Sequence, residues 1–350
     1  MVESESQAST APDARYQIVM VALLSLNFGI LFFDRNALNF LMPFVVPDLH
    51  LSNTPVGLTA SALSFTWALS GFLLGAASDR SGRRKAYLVG ATFAFAICSF
   101  MSGLATTFLV LLGSRLLMGV AEGGVLPISQ SMTAASVSVG HRGLAMGVIQ
   151  NFGSNRFGSF FAPVLLVSYL VVCWAFMPLF LTKMRGFSPT EMGWLMGTLG
   201  ISSTLGSFVA PGLSDWVGRK PVMIVVPLLG LILPLGALYY TGSAWGLAGI
   251  FFFGWALNGV FPMFMGTIPS ETVSPRHVAT ALGVVMGTGE VLGGAFSPTI
   301  AGWAADVAGL TAPLWIMAGL CVLAGLLAIA LTETAPRALA RRAAWMRSPA

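Results

Sequence analysis

An eleven-residue motif at residues 75–85, Gly-Ala-Ala-Ser-Asp-Arg-Ser-Gly-Arg-Arg-Lys, lies between two long apolar runs. It returns in weakened form at residues 211–220 as Pro-Gly-Leu-Ser-Asp-Trp-Val-Gly-Arg-Lys. The two copies belong to a longer register. Asp79/Asp215, Gly82/Gly218, Arg83/Arg219, Gly147/Gly283, Gly153/Gly289 and Gly158/Gly294 are all separated by the same number of positions. Six coincidences at one offset describe two related halves, and repeats of whole helix groups are a common way to build membrane carriers.

Composition names the solvent. Only 9% of the 350 residues are charged and 56% are hydrophobic. Soluble domains carry roughly 25% charged residues, so lipid must face most of this surface. The net charge of +5 then reports where cations sit relative to a membrane and gives no reason to expect nucleic acid. Cys98, Cys173 and Cys321 are scattered through apolar spans and form neither a disulfide framework nor a metal-ligand pattern. The polar first fifteen residues lack an apolar core and cleavage site, which is expected of a cytoplasmic tail and not of a signal peptide.

A membrane-spanning helix needs about 20 largely apolar residues. Ten segments qualify: 16–45, 55–78, 86–106, 108–135, 142–181, 191–212, 220–241, 243–270, 277–302 and 310–333. Sorting the eighteen Lys and Arg residues on this map puts thirteen on one side, two (Lys183 and Arg185) on the other, and three (Arg35, Arg115 and Arg156) within spans. Cations accumulate on the cytoplasmic side, so both termini and both motif copies are expected there.

The motif, its degraded second copy and the in-register repeat resemble the major facilitator superfamily, whose signature is G-x-x-x-D-R-x-G-R-R between the second and third helices. The resemblance covers nearly the whole chain and implies an all-α fold of two helix bundles. Asp34-Arg35-Asn36 in the first helix and Arg115 with Glu122 in the fourth are similar to the organic anion:cation symporters. Those carry sugar acids, aromatic acids and related carboxylates with protons. The superfamily has twelve helices, but the repeat offset leaves room for five before the second bundle starts. Residues 152–163 are claimed twice, as a fifth helix and as the start of a seventh, so a sixth helix and central loop are expected to be missing. About ten crossings follow, with an overlong hybrid fifth helix of roughly 60 Å and a kink or break at Pro163. The expected division is a tail at 1–15, an incomplete first bundle at 16–163, a second bundle at 164–333 and a basic cytoplasmic tail at 334–350.

Six ionisable side chains fall inside spans: Asp34, Glu122, Glu290, Arg35, Arg115 and Arg156. Such groups are costly in a bilayer and face a cavity or a partner. Arg35 offers a planar fork of donors to a carboxylate and keeps its charge; Asp34 beside it can bind and release a proton. If the first helix instead ended at Phe33, the two would be interfacial. Arg115 and Glu122 lie two turns apart on one helix face. They fit either a structural ion pair or a second protonation site beside an arginine, and Gly119 and Gly123 would let a neighbouring helix approach. The resemblance implies proton coupling at Asp34 and Glu122, and substrate contact at Arg35, Arg115 and the amide of Asn155. Arg156 receives no role. Glu290 aligns by the repeat with Ser154 and is a further candidate for substrate or proton.

Gly75, Asp79, Gly82 and Arg83, with Asp215, Gly218 and Arg219 in the second copy, read as gate mechanics. Glycine permits close contacts and tight turns, and the charges can meet helix ends or acids; Glu271 is a candidate partner. In the family this contact latches the cytoplasmic side. No catalytic residue, cofactor or metal is expected. His50, His141 and His277 are isolated, and no phosphate-binding glycine loop calls for ATP. The expected partners are a small organic anion, protons and membrane lipid. An exporter or antiporter of hydrophobic compounds and a non-transporting membrane protein are the alternatives.

Overall fold

The structure is a computed structural model and describes residues 14–125, 128–129, 156–268, 287–335 and 337–339. Its first elements are α1 (Ala14–Asp48), α2 (Asn53–Ser81), α3 (Arg84–Gly103) and α4 (Phe108–Gly123). Next come α5 (Arg156–Leu179), extended by a π turn over Phe180–Met184, then α6 (Pro189–Val217), α7 (Arg219–Leu229) and α8 (Ile232–Tyr239). α9 (Ala244–Gly254) continues through a 3-10 turn at Trp255–Val260 and a π turn at Met263–Thr267. A π turn at Gly289–Ala295 leads into α10 (Ser297–Ala308), and α11 (Ala312–Ala328) follows. No strand occurs among the described residues.

Each expected segment meets a helix, and three details differ. First, α1 runs well past Phe33, so Asp34 and Arg35 sit in mid-helix and not at an interface. Second, Pro163 does not break α5, which passes through it without interruption. The helix widens only after Pro178, whose missing N–H leaves a carbonyl free one turn back. The first part of the hybrid segment, residues 142–155, lies outside the described residues. Third, the segment expected at 220–241 is two helices, α7 and α8, separated at Gly230 and Leu231. Pro234 explains the break, because it cannot donate to the carbonyl of Gly230 one turn earlier. The buried Tyr169 hydroxyl supplies that bond from α5, at 3.0 Å.

Among the described residues, four stretches are long and apolar enough to cross a bilayer by length and composition: Gly29–Asp48, Arg84–Gly103, Pro163–Met184 and Arg219–Tyr239. Shorter apolar helices occupy Ala244–Val260 and Ala312–Ala328. Large apolar side chains stand exposed on several helices, among them Phe33, Phe93, Phe100 and Phe208. A water-facing surface rarely carries so many; a lipid-facing one requires them.

The core gathers where α5 meets the later helices, around Tyr169, Phe176, Phe251 and Trp255, all fully buried. α2 is the hinge of the packing, bedded on α4 on one side and on α10 on the other. The α2–α4 contact needs the two small residues singled out in the sequence. A Cβ at Gly119 would run into the Leu63 carbonyl, and one at Gly123 into the Trp67 carbonyl. Bulk at either position would force the helices apart. The α2–α10 contact uses the same device from both sides. A Cβ at Gly57 would strike the Pro298 carbonyl, and one at Gly302 the Asn53 carbonyl. Between them Ser61 and Thr299 share a hydrogen bond of 2.8 Å.

Candidate functional site

Arg35 leaves α1 toward α2 and the Gly289–Ala295 turn. Its guanidinium donates to Ser64 Oγ at 3.3 Å, lies 5.5 Å from the ring centre of Trp67, and pairs with Glu290 Oε2 at 3.6 Å. Trp67 offers a π face that favours a cation. The ion pair therefore joins an arginine of the first half to a carboxylate of the second. Arg35 and Glu290 retain side-chain exposures of 16% and 13%, so they are sheltered but not sealed.

Asp34 points elsewhere, as the roughly 100° step between successive helical residues demands. Its Oδ1 accepts from Ser99 Oγ of α3 at 2.8 Å. Arg115 is buried and stands behind Arg35, donating from Nη1 to the Arg35 backbone carbonyl at 3.4 Å and contacting Met118 Sδ at 3.3 Å. Its Nε has no hydrogen-bond partner among the described residues, and neither does Glu122 Oε2, which is also buried. The ion pair between Arg115 and Glu122 that their spacing allowed does not form. A buried polar atom left unpaired costs about 1–3 kcal/mol, more if charged, so this pocket of α4 is polar beyond what packing requires.

The structure thus brings Arg35, Glu290 and, through the backbone, Arg115 together, with Asp34 on the adjoining face of α1. Asn155 lies outside the described residues, as do Glu271 and the side chain of Arg156. Ser64, Trp67 and Ser99 were not singled out in the sequence. The weak signal for them was their position on the helices flanking α1.

The two motif copies differ in their surroundings. Gly75 and Asp79 lie in the last turns of α2, and the Asp79 side chain is not among those described. Gly82 ends that helix in the left-handed region at φ +65°, with open space around it. Arg83, exposed, leads into α3. In the second copy Arg219 is buried and pairs with Asp215 at 2.6 Å. Gly218 has φ +123° and ψ 154°, a region essentially reserved for glycine. Glu333, also unmarked by the sequence, accepts from the backbone N–H groups of Arg219 at 2.7 Å and Lys220 at 3.2 Å. It caps α7, beside the motif turn for which the sequence offered Glu271 as the acid.

A family model for the Major Facilitator Superfamily matches residues 24–172 and again 160–347. The two matches overlap at 160–172, within the hybrid segment expected at 142–181. Among curated relatives, the hexuronate transporter of Bacillus subtilis strain 168 is 32% identical over 161 residues, 45% of this chain and 37% of that protein. A probable sulfoacetate transporter of Cupriavidus necator is 25% identical over 156 residues, 45% of this chain and 36% of that one. The matched stretch thus spans little more than a third of either relative. The crystal structure of a mutant form of the nucleoside transporter NupG superposes with a TM-score of 0.71 at 17% identity, covering 88% of this chain and 99% of that one. Helices, repeat and family match agree: this chain is a multi-pass membrane protein, not an enzyme, and it belongs to the Major Facilitator Superfamily.

Proposed function

We propose that the chain is a secondary carrier of a small organic anion, coupled to protons and working by alternating access of its two halves. One observation carries the reading: an arginine of the first half faces a carboxylate of the second in a 3.6 Å ion pair, and the facing Glu290 Oε2 is buried with no hydrogen bond, at a sheltered site inside the helix bundle. A substrate carboxylate would take the place of Glu290 on the Arg35 fork. Trp67 would back the guanidinium, and Arg115 would hold the Arg35 segment of α1 through its carbonyl. A cationic compound would meet Arg35 unfavourably, which argues against the export of hydrophobic cations. The hexuronate and sulfoacetate named for the two relatives are organic anions, the class this reading calls for.

Asp34 and Glu122 are the proposed proton carriers. Asp34 adjoins Arg35 on α1, Glu122 lies on α4, which reaches the Arg35 carbonyl through Arg115, and the unpartnered Glu122 oxygen leaves a position for a proton. Asn155 is the proposed substrate amide. The motif end of the bundle, carrying Arg80, Arg83, Arg84, Lys85 and Lys220, is proposed to face the cytoplasm, with both termini on that side and the protein in the plasma membrane. The two-bundle division at residues 163 and 164 and the absence of a sixth helix belong to the same proposal. For that reason binding is a more direct test than turnover.

The test is anion binding to the purified chain, titrated with a hexuronate, sulfoacetate and an aromatic carboxylate. Arg35→Lys keeps the charge but loses the two-pronged geometry. It is expected to weaken the best ligand about tenfold or more, roughly the 1.4 kcal/mol or more expected of a lost charge-assisted bond. Equal affinity in the Lys variant would make Arg35 a structural residue and remove the reading.

A further inference from the structure

The first turn of α2 leaves its donors to the other half of the protein. Asn53 and Thr54 open the helix, and both backbone N–H groups donate to Asp306 at the end of α10, at 2.7 and 2.8 Å. The side chains follow: Asn53 Nδ2 reaches Asp306 Oδ1 at 3.0 Å and Thr54 Oγ1 reaches Oδ2 at 2.5 Å. Pro55 comes next and has no N–H. One carboxylate therefore satisfies the free backbone donors of this turn, at the end of a helix where negative charge is favoured.

The repeat makes this arrangement unusual within the molecule. At the offset that pairs the two motif copies, Ser52 corresponds to Ser188, Thr54 to Thr190 and Pro55 to Glu191. In the second half Ser188 and Glu191 form a complete capping box, Ser188 accepting from the Glu191 N–H at 3.3 Å and Glu191 from the Ser188 N–H at 2.9 Å. That box caps α6 from within its own sequence. In α2 proline stands where the returning glutamate would be, and Ser52 makes no side-chain cap bond. Its backbone, at φ −84° and ψ 179°, nevertheless already has the extended form of a capping residue. From Asp306 the α2–α10 seam runs inward through Gly302, Gly57 and Ser61 to Gly294. There a Cβ would meet Ser64 and Glu290, the partners of Arg35.

We propose that Asp306 is the latch that holds this end of the carrier shut, and that Ser52 takes over the α2 cap when the latch opens. This rests on the reading that the two halves part in a transport cycle. With Asp306 engaged, the seam closes the route from this end to the Arg35 site. When α10 withdraws, the Ser52 hydroxyl is left to accept from the Thr54 N–H, the nearest backbone donor that Pro55 has not removed. The exchange of one cap for another keeps the open form from carrying a bare helix end.

The two caps of one helix should then act with opposite sign, which a merely structural role would not produce. Nitroxide labels at Leu109→Cys and Met184→Cys report the separation of the halves at this end. Both positions are exposed, while the native Cys98, Cys173 and Cys321 are buried. Asp306→Ala should raise the long-distance population about fivefold or more, and adding Ser52→Ala should pull it back at least twofold. If Asp306→Ala fails to fold, Thr54→Val, which removes one bond of the four, should show a smaller rise of the same sign. An unchanged distance distribution in a folded latch variant would overturn the proposal. So would a Ser52→Ala change in the same direction as Asp306→Ala. No substrate enters the measurement, so its failure is distinguishable from failure of the anion reading, which the Arg35→Lys titration decides.

Discussion

Two helices of the second half, α6 and α7, are capped from within that half, whereas α2 of the first half is capped by its neighbour, although Thr107 caps α4 locally. Ser188 and Glu191 cap α6, Glu333 caps α7, and Tyr169 fills the carbonyl that Pro234 leaves open. In the first half, α2 takes its cap from Asp306 and Arg35 takes its counter-ion from Glu290. Two of the polar needs of the first half are thus met across the boundary between halves. Contacts of that kind are the ones a moving carrier must break and remake. The chemistry follows the same asymmetry: Asp34, Arg35, Arg115 and Glu122, all buried or half-buried, belong to the first half, and Glu290 faces them from the second.

The largest effect expected of this division is on coupling. If protons travel through the first half alone, Asp34→Asn or Glu122→Gln should abolish proton-driven accumulation in vesicles. Exchange of substrate down its own gradient should persist, because that step need not release the proton. Full accumulation in the double variant would move the coupling site across the boundary to Glu290. On the proposal that the sixth helix is absent, the absolute rate is expected to be low, so the same variants are best also placed in a version with that helix restored.

A smaller effect separates the two motif turns. Gly218 adopts a backbone region reserved for glycine and is pressed against Glu333, whereas Gly82 is left-handed but surrounded by open space. Gly218→Ala should lower stability by about 3 kcal/mol and Gly82→Ala by about 1 kcal/mol. Thermal unfolding of both variants in one detergent checks the order. Equal losses would mean that the second turn is no more tightly built than the first.

Much of this architecture could be read from the chain. Apolar length located the helices, and the constant repeat offset paired the motif turns. Gly119 and Gly123 announced a close helix contact, which proved to be with α2. The break at Gly230 was also written there, in the spacing of Gly230 and Pro234, but a proline in an apolar run is often tolerated and the partner hydroxyl comes from a distant helix. Tertiary juxtapositions were out of reach for a similar reason. Arg35 and Glu290 stand in opposite halves of the chain, and helical periodicity says which face each occupies but not which faces meet. Nothing in the chain itself sets Asp306 and Glu333 apart from other acids near helix ends. Their roles depend on the first-turn donors of helices far away in sequence, and only Pro55 in place of a second capping glutamate hinted that α2 needed help.

In the proposed carrier, Glu290 occupies the place on Arg35 that substrate must take. The most direct measurement is anion affinity in Glu290→Gln beside the unaltered protein, with Arg35→Lys as the reference for a damaged site. Removing an internal carboxylate from the Arg35 fork should tighten anion binding about tenfold, close to 1.4 kcal/mol, and the gain should vanish when Arg35→Lys is added. Affinity that is unchanged or weaker in Glu290→Gln would mean that the carboxylate does not compete with substrate, and that the Arg35–Glu290 pair is a strut between the halves and not a binding site.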